Sequence, residues 1–234
     1  MIARPDPHDS GLINMNKTAE KVASYLLEHE YFVDFKLRKR DSSLIKKFPT
    51  GHEVVELQNW IDKNHSSGKQ ELVIYPVYGK RFDVLHKWFE KFSFKTMSDQ
   101  RDSYSVGFSG VMLGKTNEYR FPLSETPSVE WDVFRNDVVC NAKYVFEKYT
   151  TLEDVYKYLV HPLVVGGKTP PDVGAEWVFE YLLLTKIVDS ENYGRVKAVI
   201  MDQVEKMHQR REPNIERYYE RFDEITSYLE ELNN

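Results

Sequence analysis

In VDFK, Asp34 and Lys36 stand two residues apart, a spacing that on a strand turns a carboxylate and an ammonium to the same face. That pairing belongs to metal-dependent nuclease chemistry, which also needs a further acid upstream on a strand, and none completes the set. The seven histidines, His8, His29, His52, His65, His86, His161 and His208, include no two at the three- or four-residue spacing that brings two imidazoles to one helix face. GFSGV, from Gly107, resembles a nucleophile elbow, but its second glycine arrives one position early. A phosphate-cradling loop ending in Gly167-Lys168-Thr169 would need a glycine at 162, where Pro162 stands; one ending in Gly114-Lys115-Thr116 would need it at 109, where Ser109 stands. GGKTPPD reads instead as a joint between helices, with Thr169 as a cap and Pro170 in the first turn. Cys140 is the only cysteine, so neither an intramolecular disulfide nor a cysteine zinc cage can form; its apolar surroundings give it the role of a small core residue. No cofactor and no metal are expected.

One basic concentration remains. Lys36, Arg38 and Arg40 alternate along YFVDFKLRKR opposite Phe35 and Leu37, with Lys39, Lys46 and Lys47 close by. Cations on an edge strand prevent edge-to-edge pairing, and the same row can meet an acidic partner or a phosphate backbone. These three residues are the expected binding residues, together with Tyr75 and Tyr78. The two tyrosines flank Pro76 and are set apart from the aromatic residues that fall on interior stripes.

Apolar periodicity supplies the scaffold for them. Residues 1–15 carry Pro5 and Pro7 without an apolar period and read as a loose leader; 17–30 step as an amphipathic helix. YFVDFKLRKR and LIKKF read as strands joined by a turn at Asp41–Ser43, and EVVELQNWI as a third strand. In ELVIYPVY, Pro76 has no N–H to give a ladder and demands an edge position or a bulge. RFDVLHKWFEKF has helical spacing, and SYSVGFSGVML and EYRFPL flank Gly114–Asn117 as a hairpin. From about Pro127 the strand signal ends. Trp131, Phe134, Val138, Val145 and Tyr149 mark one helix, and Thr150 with Glu153 has the capping-box spacing for the next. The segment from Trp177 to Val188 is apolar on several sides and should be buried. Ile215, Tyr218, Phe222, Ile225, Leu229 and Leu232 recur at three- and four-residue steps, a seam that serves either the chain's own core or a dimer.

The fold class is therefore α+β: a leader, an antiparallel sheet with flanking helices over 16–126, and an all-helical half over 127–234 packed on it. The order of a helix, hairpin strands, ELVIYPVYGKRF running into a helix and a further hairpin resembles uncharacterised bacterial α+β domains, some of them similar to immunity proteins for contact-dependent toxins. That resemblance covers the first half of the chain and implies a binding role with no site residues attached. The chain is 41% hydrophobic and 29% charged, the balance of a polypeptide that folds. Its net charge of -5 argues against a chain-wide footprint for nucleic acid, and no window reaches the roughly 18 apolar residues of a membrane span. A lone cysteine suits a reducing cytoplasm. The expected function is a non-catalytic, cytoplasmic, immunity-like protein that binds another protein, as a monomer or as a dimer through the last helix. The alternative is a hydrolase or nucleic-acid-processing enzyme with a site assembled from residues distant in sequence.

Overall fold

The computed structural model describes residues 7–114, 118–123, 129–166, 177–213 and 215–232, with side chains described from Lys17 onward except those of Phe89 and Val129. The helix joint expected over residues 167–172 and the turn expected at 115–117 lie outside the described residues. Six strands form one antiparallel sheet: β1 (Lys36–Arg38), β2 (Ser43–Phe48), β3 (Gly51–Lys63), β4 (Gln70–Phe82), β5 (Val106–Ser109) and β6 (Tyr119–Pro122). Their order is β1-β2-β3-β4-β5, with β6 also on β4. The helices are α1 (Pro7–Leu27), α2 (Phe89–Phe92), α3 (Met97–Asp102), α4 (Val129–Lys148), α5 (Leu152–Leu159), α6 (His161–Gly166), α7 (Trp177–Val188), α8 (Tyr193–Gln209), α9 (Ile215–Tyr219) and α10 (Phe222–Glu231). None of those described is long and apolar enough to cross a membrane. Helix α1 takes in residues 7–15 of the expected leader, beginning at Pro7, where the missing N–H costs no helical bond.

Pro76 lies in an internal strand, and the interruption falls on its neighbour instead. β5 pairs with Val77–Lys80 and β6 with Glu71–Ile74, both antiparallel to β4, so the two are not a hairpin but successive pieces of one edge. Tyr119 sits opposite Ile74, where an unbroken continuation of β5 would place Met112. The chain leaves the ladder opposite the residue that cannot donate to it. On the sheet's other side, Gly51 begins β3 because a Cβ there would lie 1.8 Å from the carbonyl oxygen of Arg81.

The chain divides into two compact units, one comprising Met1–Arg81 with Val106–Lys148, the other Phe82–Ser105 with Tyr149–Asn234. A single cut near residue 127 does not describe this division: α4 goes with the sheet and Phe82–Ser105 with the later helices. Aromatic packing accounts for it. Phe121 of β6 meets Trp131 and Phe134 of α4 with ring centroids 5.8 and 5.3 Å apart, and Phe35 stacks on Phe146 at 6.0 Å. In the other unit Trp88 packs on Phe179 and Tyr218 at 5.3 and 6.3 Å.

The hub of the second unit is α7, buried from Val178 through Thr185, with α5, α8 and α10 against it. The capping box of α5 lies one residue later than its sequence spacing suggested. Thr151 is the cap and Asp154 its partner, and the Asp154 carboxylate accepts from the backbone N–H and hydroxyl of both Thr150 and Thr151. The final seam breaks at Glu220–Arg221 into α9 and α10, and Ile215, Tyr218, Phe222, Ile225 and Leu229 are buried within this unit. These five residues of the stripe therefore pack in the chain's own core, with Leu232 half-buried at its end.

Candidate functional site

The β1–β2 hairpin is held by a four-residue connection in which the N–H of Asp41 donates to the Arg38 carbonyl and Ser42 takes a left-handed φ of 53°. Asp41 is its clamp. The carboxylate accepts from Arg38 Nε at 2.9 Å and from the Ser43 N–H at 3.3 Å, and lies 2.7 Å from an Arg38 terminal nitrogen and 3.3 Å from that of Arg40. Partial burial alone would raise its pKa; hydrogen bonds from Arg38, Ser43 and Arg40 and the charge of Arg38 outweigh that and hold it below the ordinary carboxylate value. A pKa lowered by folding contributes stability above the unfolded-state value of about 4, lost as pH falls through the folded-state value. Asp41→Asn should lower stability at pH 7 by about 1 to 2 kcal/mol. In paired thermal melts the gap between the two proteins should close as the pH falls below about 4.

Alongside this hairpin runs a groove of about 480 Å³, lined by Asp34, Lys36, Leu37, Arg38, Ile45 and Lys47. Lys36 pairs across the ladder with Ile45, and alternation puts Arg38 on the side of Lys36 and Lys47 on the side of Ile45, so these four share one face of the hairpin, while Asp34 lies in the turn before β1. Arg38 is engaged by Asp41, and Asp34 is 3.8 Å from Lys46 Nζ. Lys36 and Lys47 are exposed, with no ion-pair partner among the described residues. The groove therefore presents two ammonium groups, neither in an ion pair among the described residues, beside an apolar isoleucine and the Asp34 carboxylate.

Of the residues expected to bind, Lys36 and Arg38 line this groove. Arg40 does not, because β1 ends at Arg38 and Arg40 falls in the turn. Tyr75 and Tyr78, three positions apart on β4, stand on opposite faces and belong to no common site. Tyr78 is 1% exposed; its hydroxyl accepts from Asn141 Nδ2 at 3.3 Å, and burial raises its pKa, so it is a core residue. Cys140, expected in the core, is exposed, because α4 turns Phe134, Val138, Ala142 and Val145 inward and Cys140 lies on the far side. Sequence reasoning placed Lys47 near the basic run without joining it to Lys36; the groove that both line supplies that link.

A second constellation, wholly unannounced by spacing, lies inside the helical unit. His86 Nε2 is 2.9 Å from Ser105 Oγ, and His86 Nδ1 is 3.6 Å from Glu180 Oε1. A hydroxyl, an imidazole and a carboxylate in that order form a hydrolytic relay. Here all three residues are at most 3% exposed, and Ser105 Oγ also accepts the Phe82 N–H at 3.0 Å, which ties the hydroxyl to structure. Among the described residues no three His, Cys, Asp or Glu side chains are grouped to hold a metal ion. No protein-family model, curated protein or solved structure matches the chain.

Proposed function

We propose that this is a non-catalytic protein-binding protein that engages its partner through the groove beside β1. The observation that carries the reading is the exposed pair Lys36 and Lys47, which with Arg38 outnumber the single carboxylate, Asp34, of the groove on the terminal hairpin of the sheet. In a chain of net charge -5, a local cationic groove selects an acidic surface and steers its approach. A cytoplasmic setting goes with this, since the exposed thiol of Cys140 is kept reduced there, and an immunity-like role would use such a groove to cover part of another protein. The double variant K36E/K47E should fold as the wild type does and lose, by about tenfold or more in affinity, the partner that the wild type captures from source-cell lysate. Capture of the same proteins by both would contradict the reading.

The alternative, a hydrolase, draws support from Ser105, His86 and Glu180. Burial weighs against it, because a nucleophile must reach its substrate. A fluorophosphonate that labelled the native protein, and not its Ser105→Ala variant, would establish the enzyme in place of the binding protein.

A further inference from the structure

We infer that Asp34 is the specificity residue of the groove, and that it selects a partner segment in which acids for Lys36 and Lys47 are flanked by a cation. This rests on the binding reading above and adds the chemistry of the occupant. Three cations and one carboxylate line the groove, and they are not evenly spread. Lys36 is the first residue of β1 and pairs with Ile45, so in the antiparallel register Lys47, two residues further along β2, reaches past the start of β1. Asp34 precedes β1 at that same end. At the other end Arg38 is occupied by Asp41, 2.7 Å away, which is not among the lining residues. An occupant therefore meets Lys36 and Lys47 as its cations, with a carboxylate at the Lys47 end.

That carboxylate does little for the fold. The Asp34 side chain is 70% exposed, and its pairing with Lys46 Nζ, at 3.8 Å, is solvated and loosely held. Among cations that receive an anion, a carboxylate weakens the binding of every anion, and most of all of one that is negative at each position. Specific interfaces place such a repulsive group against the wrong partner. A nucleic-acid strand, negative at every nucleotide, has no cation to set against Asp34. A polypeptide can set two acids against Lys36 and Lys47 and a lysine or arginine against Asp34, which turns the repulsion into attraction. The occupant that fits all the charges of the groove is a protein segment of mixed sign.

The test uses two fluorescein-labelled peptides, Lys-Thr-Glu-Val-Glu-Thr-Lys and Glu-Thr-Glu-Val-Glu-Thr-Glu. They share the central acids and differ in the sign of both flanks, so the direction in which they lie does not matter. Each is titrated by anisotropy against the full chain and its Asp34→Asn and Glu28→Gln variants, with a single-stranded oligothymidine beside them, at about 50 mM salt, where surface charges are little screened. The ratio of the two peptide affinities is the readout. Asp34→Asn should shift it about threefold or more toward the glutamate-flanked peptide, and should tighten the oligothymidine by about threefold or more. Glu28→Gln, at an exposed acid that does not line the groove, should change neither. An unchanged ratio in Asp34→Asn, an equal shift in Glu28→Gln, or no binding of either peptide while partner capture still depends on Lys36 and Lys47 would each overturn the role of Asp34 and leave the groove reading in place. Partner capture that is indifferent to K36E/K47E removes the groove reading itself.

Discussion

Lys80→Ala is expected to cost about 3 to 5 kcal/mol, the loss found when one member of a buried ion pair is removed and the other is left in place. Lys80 and Glu53 hold their charges 2.9 Å apart with side chains 6% and 12% exposed, on the long strands β4 and β3. The same ammonium donates to the Phe146 carbonyl at 3.3 Å, in the last turn of α4, where a carbonyl has no partner inside its helix and a cation offsets the helix dipole. It also lies 5.4 Å from the centre of the Phe48 ring. One side chain thus ties β3, β4 and α4 together. Denaturant unfolding should show a lower midpoint for the single variant, and the pair Lys80→Met with Glu53→Leu should recover much of the loss because no charge remains buried. A single variant within about 0.5 kcal/mol of wild type would remove this ion pair from the account of the sheet unit's stability.

In the helical unit the corresponding result is Phe222→Ala, again about 3 to 5 kcal/mol. Phe222 is 5% exposed and its ring centroid is 5.8 Å from that of Phe179, which also meets Trp88 and Tyr218. Truncation leaves a void beside α7, and a hub so tightly enclosed has little freedom to close it. A dimer seam predicts otherwise: the loss would then depend on protein concentration. Calorimetric melts at two concentrations a hundredfold apart distinguish the cases, and a concentration-independent drop is expected.

The antiparallel sheet followed by helices was legible because alternation, turn residues and helical stripes are local signals; β2 to β4 fall where those signals place them, while of the strand read over residues 31–40 only Lys36–Arg38 pairs and Glu30–Phe32 forms a 3-10 turn. Pairing partners were not legible. Two alternating runs around a glycine turn look the same whether they pair with each other or with a third strand, and β5 and β6 do the latter. In TTLED two threonines each have an acid three residues on, so the sequence leaves the cap of α5 ambiguous until packing chooses Thr151. The inward side of β4 cannot be told from alternation when both faces are largely buried, which is why Tyr78 was open to a surface role. Of the site, the basic run was visible, and Lys47 joins it only through the groove that the folded hairpin forms. Ser105, His86 and Glu180 carried no signal, because their proximity is made only by the fold.

Hydrogen exchange of the full chain, alone and with the partner that K36E/K47E fails to capture, tests the central claim most directly. Engagement through the groove predicts slowed exchange concentrated at the amides of Lys36–Arg38 and the turn that follows, with the remaining strands of the sheet little changed. Unchanged exchange along β1, with protection gathered elsewhere, would contradict it.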